Sequence, residues 1–177
     1  MNSVFHDIYS KYHQDLFQFL FYMVKNREEA EDLVQEVYIR VMNSYDKFEG
    51  KSSEKTWLFS IAKNVAIDHF RKQKSWRDRL YDKFDWDRQS IKDTSPLPED
   101  STILNEEVKM LYKCLDSCST NHRLVLIMRF INDFSISETA EALNWTESKV
   151  KTTQHRAMKA LRAKMELVQG KEESVYE

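Results

Sequence analysis

"SISETAEALNWTESKVKTTQHRAMKAL", Ser135 to Leu161, decides how the rest of the chain is to be read. Ile136, Ala140 and Leu143 recur at helical spacing and give a first short helix an inward stripe. "NWTES" supplies a polar turn, with Thr146 as the N-cap of a second helix. At about 100° per residue, Ser148, Lys151, Thr152, His155 and Lys159 share one face of that helix, with Lys149 and Arg156 at its edge. Val150, Ala157, Met158 and Leu161 fall opposite and anchor it. This is the layout of a helix-turn-helix, whose second helix can lie in the major groove. The plain alternative is a solvated Lys-rich helix. Exposed helices usually mix Glu among their Lys, however, and no acid stands between Glu147 and Glu166.

Composition extends the helical reading outward. The chain of 177 residues contains only 2 Gly and 2 Pro, too few for the turns of a sheet protein. All-α is the expected class. Hydrophobic residues make up 41%, enough for a packed core, and no apolar run approaches the roughly 20 residues of a membrane span. "MNSVFHDIYSKYHQDL" lacks the basic-then-apolar layout of a signal peptide, so a cytoplasmic protein is expected. The net charge of −2 hides an uneven distribution: Lys149 to Lys164 is basic, whereas "EEAEDLVQE" is acidic. Charge divided by segment suggests more than one partner.

Helical periodicity places a first helix from Phe5 to Met23 and a second from about Arg27 to Tyr45. The second buries Ala30, Leu33, Val34, Val37 and Val41, while Asp32, Gln35, Glu36 and Arg40 occupy another face. "YDKFEGKSSEKT" is a loop, and Ser52 or Ser53 can cap the third helix, from about Glu54 to Lys74. There Leu58, Ile61, Ala62 and Val65 point inward, and Asn64, Asp68 and Arg71 share a polar stripe. The pattern fails from about Ser75 to Ser101, which holds both prolines and reads as a linker. Its aromatics Trp76, Tyr81, Phe84 and Trp86 suggest that it docks on something. Helices resume at Ile103 to Cys118 and in "RLVLIMRFI". Two small helical domains follow, about 1–75 and 103–168, joined by a linker at 76–102, with a frayed tail at 169–177.

Cys114, Cys118 and His122 could form part of a zinc site, or the thiols a redox pair, but no fourth ligand is near and i,i+4 geometry disfavours a disulfide. Reduced, partly buried thiols fit better.

"AEDLVQEVYIRV", then "FEG" with "KTWLFSIAKNVAIDHFRKQ", then "FSISETAEALNWTESKVKTTQHRAMKALR" resemble, in order, regions 2 and 4 of the extracytoplasmic-function (ECF) sigma factors, most closely the Bacillus-type cell-envelope members. The resemblance covers nearly everything outside the linker and tail. It implies a transcription initiation factor, not an enzyme, needing no cofactor. Its partners would be core RNA polymerase (β′ clamp helices and β flap), promoter DNA, and an anti-sigma factor anchored in the membrane. Carried over residue by residue, Asp32, Gln35, Glu36 and Arg40 would bind core polymerase. Phe48, Gly50, Lys51, Ser53, Asn64, Asp68, Arg71 and Lys72 would bind the −10 element. An amide such as Asn64 can read the edge of an unpaired, flipped base, because it both donates and accepts. Trp57 could stack on a base but is expected to pack in the core. Ser148, Lys149, Lys151, Thr152, His155, Arg156 and Lys159 would bind the −35 element. The linker would thread the polymerase active-site and RNA-exit channels. The family's usual Leu-Pro ahead of a long region 4 helix is replaced by Cys118-Ser119, and Thr153 and Gln154 stand where a basic and an apolar residue are common.

Two other classes compete. A regulator binding DNA unaided would need a dimer interface or sensor domain. A helical carboxylate-metal enzyme would use Glu28, Glu31, Asp32 and Glu36, but the Glu-x-x-His pairs of di-metal bundles are missing.

Overall fold

The computed structural model describes residues 2–84 and 106–173. Helix α1 spans Asn2–Val24, α2 Arg27–Ser44, α3 Glu54–Phe84, α4 Glu106–Leu115, α5 Thr120–Leu126, α6 Ile136–Leu143 and α7 Glu147–Glu173. A 3₁₀ turn, Tyr45–Lys47, follows α2, and a π turn, Ile127–Ile131, ends α5. Among the described residues there is no strand.

The helix starts follow from local capping. Asn26 accepts the Glu29 N–H at 3.0 Å to open α2, with Glu28 and Glu29 in the positive first turn. Ser53, rather than Ser52, accepts the Thr56 N–H at 3.1 Å at the head of α3. Ser119 does the same for α5. α6 opens with a reciprocal capping box between Ser135 and Glu138 and closes at Asn144 in the left-handed conformation, φ 56°. Thr146 accepts the Lys149 N–H at 3.1 Å and starts α7.

Helices α1, α2 and the first half of α3 form the first bundle. Leu16, Phe19, Leu20 and Met23 of α1 are buried with Ala30, Val34, Val37, Tyr38 and Val41 of α2 and Leu58, Phe59, Ala62 and Val65 of α3. Leu33 and Ile61, expected in the core, are half-buried at its edge. The second bundle packs Leu124 to Met128, Ala140, Ala142 and Leu143 against Val150, Ala157 and Leu161 of α7.

Three expectations change. α3 continues to Phe84 instead of stopping near Lys74: "SWRDRLYDKF" contains neither Gly nor Pro, so nothing in it breaks the helix. The segment 75–84 is therefore helix, not linker, and its Trp76 is 62% exposed; the remaining linker residues with Trp86 lie outside the described residues. α7 likewise runs through Gly170 to Glu173, into the expected tail. Finally, the apolar cores are continuous, because Phe59 of α3 lies 4.8 Å, ring centre to ring centre, from Phe134 at the head of α6. The two bundles are packed against each other.

Candidate polymerase- and DNA-binding faces

Helix α2 turns its apolar stripe into the first bundle and leaves Asp32 and Gln35 exposed, with Glu36 and Arg40 half-exposed. Glu36 accepts from Arg40 Nε at 2.8 Å, and both Nη atoms of Arg40 reach Asp68 of α3 at 3.3 Å. Asp68 also accepts from Arg71 at 3.0 Å. The neighbouring carboxylates hold the Arg40 guanidinium protonated, raising it above its ordinary range, with Glu36 the stronger influence. A half-exposed chain Glu36–Arg40–Asp68–Arg71 thus ties the face of α2 to the polar stripe of α3. Glu31 is paired with Arg27 at 3.1 Å. Carboxylates committed to arginines are poorly disposed to ligate a metal, which weakens the carboxylate-metal reading.

The same face of α2 carries two residues that sequence reasoning missed. Ile39 is 54% exposed and Met42 56%. With Asp32 and Gln35 they follow i, i+3, i+7, i+10 spacing, so the signal was present: an apolar pair continuing a polar stripe. An exposed apolar pair beside charged and amide side chains makes this face a candidate for contact with another protein.

The loop before α3 is held by aromatics. Phe48 stacks at a tilt on Trp57, 4.7 Å between centres, and Tyr45 meets the edge of Trp57 at 5.9 Å. Trp57, expected in the core, is half-buried against it and supports the loop from beneath, with Phe48 as the loop's anchor. Gly50 turns the loop at φ 67°, a conformation that a side chain would strain. Lys51 pairs with Glu49, and Ser53 is occupied as the cap. Beyond the loop, Asn64, Arg71 and Lys72 are exposed along α3. Asn64 makes no side-chain hydrogen bond among the described residues, leaving its amide open.

On α7 all seven residues assigned from sequence to the −35 element are exposed, and Val150, Ala157 and Leu161 are buried beneath them. Met158 is half-buried at the margin. Lys149 lies 4.1 Å over the Trp145 ring. Lys151, Thr152, His155, Arg156 and Lys159 make no side-chain hydrogen bond or ion pair among the described residues. Gln154 points the other way, accepting from Arg129 Nε at 2.8 Å, while Arg129 also donates to the Phe134 carbonyl. Its unusual identity thus serves the internal support of the turn.

A cleft of about 510 Å³ opens beside this face, lined by Ser119, Asn121 and His122 of the α5 start and by Lys149, Thr152 and Arg156 of α7. By sequence spacing His122 falls on the stripe of the two cysteines. It belongs with the basic face of α7 instead. Cys114 and Cys118 are buried and unbonded to each other; Cys118 Sγ donates to the Cys114 carbonyl at 3.6 Å. Burial pushes both thiols up, away from the reactive thiolate form.

Residues 8–76, which carry the α2 face and the α3 stripe, match the family described as Sigma-70 region 2. Residues 114–163, which carry the helix-turn-helix, match Sigma-70, region 4. The chain is 56% identical over 168 residues to the ECF RNA polymerase sigma factor SigX of Bacillus subtilis (strain 168), covering 95% of this chain and 87% of that one. The chain belongs to the ECF sigma factors. It is also 31% identical to the ECF RNA polymerase sigma factor SigW of the same organism, over 92% of this chain and 89% of the relative. Its fold is that of the sigma factor RpoE crystallised with the anti-sigma factor NepR from Bartonella quintana: TM-score 0.70, 23% identity, 92% of this chain and 96% of that one. The structure of CnrH with the cytosolic domain of CnrY has the same fold, with a TM-score of 0.69, 18% identity, and 94% and 90% coverage. The two bundles are therefore region 2 and region 4 of a sigma factor.

Proposed function

We propose that this ECF sigma factor docks on core RNA polymerase through the α2 face and reads its promoters with two separate DNA surfaces. The observation that carries the reading is the contrast within one chain: a paired, partly apolar face on α2, and an unpaired cationic face on α7. Asp32, Gln35, Glu36 and Arg40, extended by Ile39 and Met42, meet the β′ clamp helices. Region 4 offers two exposed apolar side chains, Phe130 and Leu167, for the β flap.

Asn64, with an open amide, reads an unpaired −10 base, and Arg71 and Lys72 hold the phosphates of the opened strand. Phe48, Gly50, Lys51 and Ser53 shape the loop beside it. Asp68 has a different part from the one its sequence position suggests: bridging Arg40 and Arg71, it orients cations instead of touching bases. On α7, Thr152 and His155 at the centre of the face approach base edges, Lys149, Lys151 and Lys159 hold phosphates, and Ser148 sits at the entry of the helix into the groove. Arg156 can serve either purpose.

The regulon is a cell-envelope stress set, and the chain is held inactive in the cytoplasm by a membrane-anchored anti-sigma factor. Support comes from the identity to SigX and from the shared fold with a sigma factor captured in an anti-sigma complex. Run-off transcription with purified core polymerase, with start sites mapped on genomic templates, tests the reading. Initiation downstream of a common −35/−10 pair is expected. Core polymerase that gains no new start sites on adding the chain defeats it.

A further inference from the structure

Helix α5 packs beside α7, and the two bound the cleft of about 510 Å³ along one flank of the recognition face. The ionisable side chains that line it are Lys149 and Arg156 of α7 and His122 of α5. Among the described residues no carboxylate lines it. The acids nearest in sequence are placed elsewhere: Asp116 pairs with Lys25, and Glu147 starts α7 outside the cleft. Arg123, the neighbour of His122 on α5, turns its guanidinium to the Met23 and Asp116 carbonyls. Asn121 and Thr152 add neutral donors.

His122 itself is half-buried. Its backbone N–H is donated to the Ser119 hydroxyl at 3.3 Å, but its imidazole makes no side-chain hydrogen bond or ion pair among the described residues. A ring held in one wall of a cationic cleft and left without a partner is placed for a ligand rather than for the fold.

Groove geometry decides what enters the cleft. The major groove is about 12 Å wide and a helix with its side chains about 10–12 Å across, so α7 would fill it. A neighbouring element alongside the helix then meets the sugar-phosphate backbone rather than base edges. His122 and Asn121 stand on such a flank, one helix away from Thr152 and His155. Lys149 and Arg156, at the edge of α7, converge on the same volume. Cations and neutral donors without an acid are complementary to a phosphodiester.

The imidazole differs from the other two cations in one respect. A histidine gains and loses its charge between about pH 5 and 8, whereas lysine and arginine ordinarily stay charged throughout that range. No carboxylate in the cleft compensates an imidazolium. An entering phosphate does, and it accepts a charge-assisted hydrogen bond. The DNA-bound state then holds more protons than the free state, so affinity rises as pH falls and the gain is lost as pH rises. His155, the other imidazole of region 4, lies outside this cleft and borders an open groove with Lys151, Lys159, Arg162 and Glu166.

We propose that His122 is a proton-linked phosphate contact: from α5 it grips the DNA backbone flanking the −35 element, and it strengthens promoter engagement as pH falls. The inference rests on the −35 reading of α7 in the previous section and deepens it.

Holoenzyme assembled from the full chain and core polymerase, titrated onto a promoter fragment near pH 6 and near pH 8, tests the contact. The ratio of wild type to His122→Gln cancels every other titrating group, His155 and the polymerase included. Wild type should bind at least about threefold more tightly than His122→Gln at the lower pH, and the two should converge at the higher. The slope of log affinity against log salt should be steeper for wild type by about 0.9 at the lower pH only. His122→Lys, with its charge fixed over this range, should hold the tighter binding at both. A ratio that does not change with pH, or a lysine variant no better than glutamine at the higher pH, overturns the proposal. So does a pH-dependent ratio in binding to core polymerase without DNA, which would make the cleft a protein contact. Should a variant misfold by circular dichroism, diethyl pyrocarbonate, which acylates uncharged imidazole, takes its place. Peptide mass spectrometry of wild-type holoenzyme should then show His122 protected by promoter DNA, and an unprotected His122 counts against the contact. Failure of the −35 reading would appear separately, as wild-type binding indifferent to substitution of the −35 element.

Discussion

On α2 the charged side chains hold one another, Arg27 to Glu31 and Glu36 to Arg40 and onward to Asp68, whereas on α7 Lys151, His155, Arg156 and Lys159 face outward with no side-chain partner among the described residues. Paired charges have fixed positions, so they can present a shaped surface to another protein and add specificity at modest net affinity. Unpaired cations keep their mobility and gain by displacing counterions from a polyanion, which suits DNA and makes binding salt-dependent. The overall charge of −2 is thus no obstacle to DNA binding. The sign is distributed by helix.

Disturbing the paired face should have the largest effect. Glu36→Lys breaks the bond to Arg40 and sets two cations side by side, and charge reversal within an interface can cost several kcal/mol. We expect a folded, helical protein that no longer retains core polymerase in pull-downs; undiminished retention would remove α2 from the interface. The open amide comes next. Asn64→Ala should cost about 1–3 kcal/mol of discrimination at a single −10 position, read as transcription from a panel of −10 substitutions. An equal loss on every template would make Asn64 structural.

The unpaired face should respond by degree. Lys159→Ala is expected to weaken all −35 sequences alike and to reduce the slope of log affinity against log salt by about 0.9. His155→Ala should instead relax preference at particular −35 positions. If the two variants gave the same pattern, the division of α7 into base readers and phosphate holders would collapse. The smallest effect belongs to the capping box. The Ser135 backbone N–H stabilises the Glu138 carboxylate, lowering its pKa from the ordinary 4.5. A carboxylate lowered on folding stabilises the protein above its unfolded value, and that contribution is lost as pH falls through the folded one. Glu138→Ala should lower stability by about 0.5 kcal/mol near neutrality, and the gap in Tm between variant and wild type should close in acid.

Much of this molecule could be read in the chain because its signals are local. Capping by Thr146 and Ser53, the buried Val150–Ala157–Leu161 stripe and the exposed seven residues of α7 depend only on neighbours within a few turns, and the sequence carries them directly. The continuation of α3 past Lys74 is hard to read from sequence because charged, apolar-poor helix formers look the same in a linker as on an exposed helix; only the absence of a breaker distinguishes them. Ile39 and Met42 escape a rule that sends apolar residues inward, although their spacing continues the polar stripe of α2.

What the tertiary structure alone decided is which distant charges meet. Arg40 finds Asp68 across 28 positions of sequence, and Lys25, which any reading of pattern would leave in solvent, is buried beneath region 4 against Asp116 and Tyr112. Periodicity specifies which way a side chain faces on its own helix. It holds no information about which other helix will arrive there, because that depends on the packing of whole faces, and so the class, the helices and their outward surfaces were written in the sequence while the seam between the halves was not.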